Sequence, residues 1–270
     1  MKTKFSWIFY CLVSLLLSQS LSAAERFVTN ESNGFVWIQQ GKAYPILVDS
    51  REDKGVVRAV ANLQTDAGKV TGITPEIIHS VAGNRMLIIG SIENSSWIKQ
   101  LLKAGKINAA DLQGKREKYI LQMVKQPMEG VDEAVVIAGS DKRGTIYGIY
   151  ELSQQMGVSP WYFWADVPVE KHDIISIKEG IYTDGEPAVK YRGIFLNDEW
   201  PCLGNWAGDT FGGFNSKFYE TVFELVLRLK GNFMWPAMWN SAFYDDDPMN
   251  GPLADEMGIV MGTSHHEPMG

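Results

Sequence analysis

Cysteine is nearly absent from this 270-residue chain. Cys11 sits in an apolar leader and only Cys202 follows it, so no intrachain disulfide can staple the mature fold, and stability must come from a conventional core. Histidine is scarce as well, four in all, with two adjacent at His265 and His266. Adjacent imidazoles on a strand tip cannot easily share one ion, and no helical His-Glu-x-x-His frame exists, which argues against zinc. Asp245-Asp246-Asp247 lacks the alternating spacing of a calcium loop and reads as a solvated loop or helix cap. Positive charge is in deficit, 25 Lys and Arg against 32 Asp and Glu. The resulting −7 argues against nucleic acid or an anionic membrane as partner, and an acidic substrate would need a local cationic pocket. Outside the leader no apolar run approaches the roughly 18 residues that cross a bilayer. The glycine-rich stretch Gly139 to Leu152 matches neither the Walker pattern nor the dinucleotide fingerprint. Its simpler reading is a helix capped by Asp141, whose small glycines allow close packing on a sheet. Neither a cofactor nor a metal is expected.

What is present begins with a secretory signal. Lys2 and Lys4 precede the apolar run Trp7 to Leu17, and Ser22-Ala23-Ala24 supplies the small residues of a cleavage site. Residues 1–24 are expected to leave, giving a secreted or periplasmic product. Residues 25–182 read as an α/β domain. Phe35–Ile38, Pro45–Val48, Arg85–Gly90, Ile120–Val124 and Ala134–Ala138 have strand character, with Gln40-Gly41-Lys42 as a turn. Val56, Val57, Val60 and Leu63 have helical spacing with Gly68 as a stop, and a second helix carries Trp97, Ile98, Leu101 and Leu102 on one face. Thr183-Asp184-Gly185-Glu186-Pro187 is a turn-rich linker.

From residue 188 to 270 the rhythm becomes strand, loop, helix, strand. Three apolar stretches each end in polar or aromatic groups: Tyr191 to Leu196 runs into Asn197-Asp198-Glu199, Asn232 to Met234 into Trp235-Pro236-Ala237-Met238-Trp239, and Gly258 to Gly262 into Thr263-Ser264-His265-His266-Glu267. Functional groups at the C-terminal tips of successive parallel strands are how a (β/α)8 barrel builds its active face. The expected architecture is therefore an α/β sandwich-like domain followed by the first strands of a truncated (β/α)8 TIM barrel. One helix is clear between the first two strands, with Phe218, Val222, Leu225, Val226 and Leu229 at a 3.6 period, Asn215 or Ser216 as cap and Gly231 as end. The candidate catalytic carboxylates are Asp198, Glu199 and Glu267. Neighbouring carboxylates on an extended tip point to opposite sides, so one of Asp198 and Glu199 faces the cleft, and Asp198 is preferred. Asn197, His265 and His266 are candidate substrate ligands through hydrogen bonds to sugar hydroxyls or a carboxylate. Trp235 and Trp239 read either as sugar-stacking rings or as packing.

Taken together, Tyr191-Arg192-Gly193-Ile194-Phe195-Leu196-Asn197-Asp198-Glu199, Phe211-Gly212-Gly213-Phe214-Asn215, Leu229-Lys230-Gly231-Asn232 with Trp235-Pro236-Ala237-Met238-Trp239, and Gly262 to Met269 resemble the opening of the catalytic barrel of glycoside hydrolase family 115, the xylan α-1,2-glucuronidases. The α/β region before them resembles the domain that precedes the barrel in several glycosidase families. The resemblance implies inverting release of glucuronic acid, or its 4-O-methyl ether, from glucuronoxylan or its oligosaccharides. It also implies active-site roles for Asn197, Asp198 and one of His265 and His266, with a further catalytic partner beyond Gly270. A homodimer is expected only of the full-length protein. Two alternatives differ in kind: a non-catalytic truncated remnant, or a carbohydrate-binding α/β domain.

Overall fold

The computed structural model describes residues 26–197 and 199–263, so the expected leader lies outside the described residues. From the N-terminus the chain forms β1 (Val28–Thr29), β2 (Phe35–Gln39), β3 (Lys42–Ala43), β4 (Ile46–Val48), α1 (Lys54–Thr71), β5 (Ile77–Ile78), β6 (Arg85–Ser91), α2 (Ser96–Lys103), β7 (Tyr119–Met128), β8 (Val131–Gly139), α3 (Lys142–Gln155), β9 (Ile174–Ile177) and β10 (Ile181–Tyr182). There follow β11 (Gly193–Phe195), α4 (Gly204–Phe211), α5 (Ser216–Arg228), β12 (Phe233–Trp235), α6 (Phe243–Asp246), α7 (Asn250–Met257) and β13 (Val260–Met261).

Alternation of side chains along the strands builds two cores from one six-stranded sheet, ordered β10-β7-β8-β6-β4-β5. Leu47, Met86, Ile88, Val136 and Ala138 face α2, where Ile98 and Leu101 are buried. Val48, Leu87, Ile89, Val135 and Ile137 face the opposite way, toward α1 and α3. β4, β5, β6 and β8 run parallel, while β7 and β10 run antiparallel to their neighbours. A small antiparallel sheet, β1-β9-β2-β3, adds Phe35, Trp37, Ile175 and Ile177 to the second core.

Helix α1 buries Val56, Ala59, Val60, Leu63, Ala67 and Val70 at i, i+3 and i+4 spacing. Asp53 caps it by accepting a hydrogen bond from the Gly55 N–H at 2.9 Å. The expected stop at Gly68 is corrected: the helix runs on to Thr71 and ends at Gly72, which takes the left-handed conformation at φ 76°. Gly68 instead gives close passage to the Thr74 hydroxyl, 3.0 Å from where a Cβ would stand. In α3, Asp141 caps the Gly144 N–H at 2.8 Å, and a Cβ on Gly144 would lie 2.4 Å from the Lys118 carbonyl. The glycines of that stretch serve packing.

The last three strands make a separate parallel sheet, β11-β12-β13, with α5 between the first pair and α7 between the second. No closed barrel forms among the described residues. Asn215 caps α5 by accepting from the Lys217 and Phe218 N–H groups, and Phe218, Val222, Leu225 and Val226 bury the expected stripe, whereas Leu229 stands past the helix end and is exposed. The helix closes at Arg228, before Gly231. This region is welded to the rest, because Phe218, Tyr219, Phe223, Leu253 and Met257 join the same apolar core as α1 and α3. Arg228 of α5 also pairs with Asp66 of α1 at 2.7 Å, both nearly fully buried.

Candidate functional site

The start of the parallel sheet is fixed by a buried carboxylate contributed from outside it. Glu117 precedes β7 in a left-handed conformation, φ 53°, and its side chain is fully buried. Its Oε1 accepts from Arg143 Nε at 2.6 Å and from Asn232 Nδ2 at 2.7 Å, and its Oε2 accepts from an Arg192 guanidinium nitrogen at 2.6 Å. Arg192 stands before β11 and Asn232 before β12. Asn232 Oδ1 in turn accepts from the Arg192 N–H at 2.9 Å, and Arg143 donates to the Gly258 carbonyl before β13 at 3.2 Å. One anion thus sets where all three strands begin. Burial acts to raise the Glu117 carboxyl, but Arg192, Asn232 and Arg143 hold it below the ordinary glutamate value.

At the opposite ends, β11 and β12 run into the described candidates Asn197, Glu199, Trp235 and Trp239. Asn197 leaves β11 exposed to solvent, with its N–H bonded to the Phe195 carbonyl at 3.0 Å. Glu199 opens a π-helical turn, Glu199–Leu203, broken at Trp200 by extended dihedrals (φ −127°, ψ 145°). Its side chain turns inward and is fully buried. Glu199 Oε1 accepts from the N–H groups of Met238 and Trp239, both at 2.9 Å, in the loop that follows β12. Glu199 Oε2 is buried without a hydrogen-bond partner among the described residues. The phenol of Tyr219 on α5 has its pKa raised by burial first and by the charges of Asp246 and Glu199 in addition.

Trp235 and Trp239 occupy different environments. The Trp235 ring is half-buried, edge-on to Phe195 with centroids 5.1 Å apart, and a Cβ on Gly262 would lie 2.5 Å from its Nε1. It packs the three strand ends against one another. Trp239, in the loop after β12, is 52% exposed. Asp198, His265, His266 and Glu267 lie outside the described residues.

The comparisons with known proteins meet this geometry. Residues 184–270 match the model described as glycosyl hydrolase family 115, and residues 38–152 match glycosyl hydrolase family 67 N-terminus. A solved family 115 4-O-methyl-α-glucuronidase with specificity for decorated arabinogalactans is 33% identical over 86% of this chain, with a TM-score of 0.74. The chain belongs to glycosyl hydrolase family 115. It spans 30% of the length of that structure. The Streptomyces plicatus N-acetyl-β-hexosaminidase shares the fold alone, with 13% identity, a TM-score of 0.50, and coverage of 86% of this chain and 43% of its own. No curated protein matches the sequence.

Two other places in this family 115 chain could have held a ligand. An open α/β sheet binds ligands beyond the carboxyl ends of its strands where the order reverses, here between β4 and β6. That crevice is filled by the protein itself. Asp49 accepts from the Ser96 N–H at 2.8 Å and from Arg51, while Glu52 accepts from the Ser91 N–H at 2.8 Å and the Ser91 hydroxyl at 2.9 Å. A cavity of about 720 Å³ lies at the β2–β3 turn, lined by Trp37, Lys42, Tyr44, Glu76 and Arg85, and contains none of the candidate residues. Among the described residues no cluster of three or more His, Cys, Asp or Glu could hold a metal ion. Asp245-Asp246-Asp247 serves as capping: Asp246 accepts from the Ala242 N–H and Asp247 from the N–H groups of Ser216 and Met249, each at 2.9 Å.

Sequence reasoning missed the Glu117 cluster, which no local pattern announces. The signal within reach was the pair Arg192 and Asn232, each standing directly before an apolar strand run.

Proposed function

We propose that the polypeptide carrying this region is an exported α-glucuronidase that releases glucuronic acid, or its 4-O-methyl ether, from side chains of a plant polysaccharide. The observation that carries this reading is the 33% identity to a 4-O-methyl-α-glucuronidase across 86% of the chain. In this reading β11, β12 and β13, with α5 and α7, open a (β/α)8 barrel, and residues 25–182 form the preceding α/β domain. Asn197 and Trp239 line the uronate-binding mouth, joined by His265 and His266 as donors to its carboxylate or hydroxyls. Trp235 supports the mouth from below.

The chemistry is hydrolysis with inversion. A general base takes a proton from water as the water oxygen bonds to the anomeric carbon. The bond to the leaving sugar oxygen breaks on the opposite face, and a general acid protonates that oxygen. Two carboxyl groups about 6.5–9.5 Å apart leave room for the water. Asp198 and Glu267 are assigned to this machinery, with a further carboxylate outside this region. Glu199, buried and bonded to two backbone amides, is assigned to holding the site rather than to proton transfer. Glucuronoxylan is the substrate proposed first. Uronate-decorated arabinogalactan is the second, because the similar glucuronidase is specific for decorated arabinogalactans.

The test is uronic acid release from both polysaccharides by the exported polypeptide and its Asp198→Asn variant. Release that falls by roughly 100-fold or more in the variant, the scale of a lost acid–base group, supports the assignment. Equal release by both removes Asp198 from the machinery, and release from neither substrate removes the glucuronidase reading.

A further inference from the structure

We infer that Glu199 is a positioning residue, a clamp that ties the exit of β11 to the loop after β12 and so fixes the Trp239 ring at the mouth. The importance given to that ring rests on the glucuronidase reading; the clamp itself rests on geometry. Glu199 is completely buried, and its only hydrogen bonds among the described residues come from the amides of Met238 and Trp239. No cation among the described residues bonds to this carboxyl group, and burial in that setting is costly, a cost that a neutral residue of similar shape would avoid. A carboxylate here therefore needs a reason beyond filling space.

The loop supplies the reason. Pro236 stops the strand, and the next residues leave the sheet with two consecutive N–H groups pointing inward. Buried amides must find acceptors, and both find the same oxygen of Glu199. A charged acceptor makes stronger bonds than a carbonyl does, and one atom shared between two successive amides fixes the backbone direction as well as its position. The ring of Trp239 then projects from an anchored backbone instead of a free loop. Preorganised rings lose less freedom on binding a sugar. The neighbouring Trp200 ring is locked from the same turn, edge-on to Phe214 at 6.2 Å, with Gly204 leaving space for it.

The experiment is residue-resolved amide exchange on this chain, together with fluorine NMR of 5-fluorotryptophan-labelled protein in which Trp239→Phe assigns the Trp239 signal. In the unmodified chain the Met238 and Trp239 amides should exchange as slowly as those of β12, although they lie in a loop. Glu199→Ala should speed their exchange roughly 10- to 100-fold, the factor implied by losing a hydrogen bond to a charged group, and should shift the Trp239 fluorine signal. Glu199→Gln keeps an acceptor oxygen and should restore both readouts most of the way, a rescue that simple space-filling by Glu199→Leu does not give. Fast exchange in the unmodified chain overturns the clamp even if the alanine variant fails to fold. So does a Trp239 signal unmoved by Glu199→Ala, or equal behaviour of the glutamine and leucine variants. None of these readouts involves hydrolysis. Titration with glucuronic acid separates the two claims: a clamp that passes while no uronate moves the Trp239 signal leaves the positioning role standing and counts against the glucuronidase reading.

Discussion

Glu117→Gln is the substitution that most directly probes how the parallel sheet is held. The variant keeps the shape of the side chain but replaces an anion that accepts from Arg143, Arg192 and Asn232 with a neutral amide. Its new NH2 group must face at least one of those donors. Breaking a buried ion pair by removing one partner costs about 3–5 kcal/mol. The side chains of Arg143 and Arg192 are 28% and 23% exposed and can rehydrate in part, which places the expected loss near the lower end, about 3 kcal/mol. For a chain of this size that corresponds to a fall of roughly 6–12 °C in Tm. The pH dependence gives a second reading. The folded state holds the Glu117 carboxyl below its ordinary 4.5, so its contribution is fully present above that value and is lost as pH falls through the lower folded value. The gap between wild type and variant should therefore be constant near neutrality and narrow below about pH 4.5. Urea denaturation across that range measures it. A loss under about 1 kcal/mol, or a gap that does not change with acid, would refute the role of this anion.

Other perturbations test individual joints of the fold. Gly193→Ala places a Cβ 1.6 Å from the Phe233 carbonyl oxygen in the neighbouring strand, so β11 cannot keep its register, and a loss above about 3 kcal/mol is expected by denaturation. Asn215→Ala removes the acceptor for the Lys217 and Phe218 amides at the start of α5 and should cost about 1 kcal/mol, with faster exchange confined to the first turn of that helix. Asp66→Ala leaves the Arg228 guanidinium, itself only 2% exposed, with Glu224 as its one remaining ion-pair partner among the described residues. It should destabilise by about 3–5 kcal/mol, whereas Lys69→Ala, which removes the longer and more exposed contact to Asp66 at 3.5 Å, should cost under about 1 kcal/mol.

The elements that could be read in the sequence are those whose causes are local. The 3.6 period of α5 and its Asn215 cap lie within one stretch of chain, and so do the Gln40-Gly41 turn and the Asp141 cap of α3. Gly68 misled because a glycine reads the same whether it ends a helix or admits a neighbour. Only the approach of Thr74 decides between these, and Gly72 with its left-handed backbone is the real end. β7 runs from Tyr119 to Met128, longer than the apolar core Ile120–Val124, because pairing with β8 carries polar residues into the ladder. The direction of the Glu199 side chain was not legible: alternation predicted that two adjacent carboxylates point apart but not which turns inward, and Asp198 lies outside the described residues. The inward turn of Glu199 is set by amides 39 and 40 residues away. The Glu117 cluster was beyond reach for the same reason, since its donors lie 26, 75 and 115 residues along the chain.

The stereochemistry of the first product tests the proposed activity most directly. Proton NMR of the exported polypeptide acting on an aldobiouronic acid from glucuronoxylan, recorded in the first minutes before mutarotation, should show β-glucuronic acid released from the α-linkage, as one inverting displacement by water requires. Initial appearance of the α-anomer would contradict the two-carboxylate inverting mechanism, and no released uronic acid would contradict the α-glucuronidase reading itself.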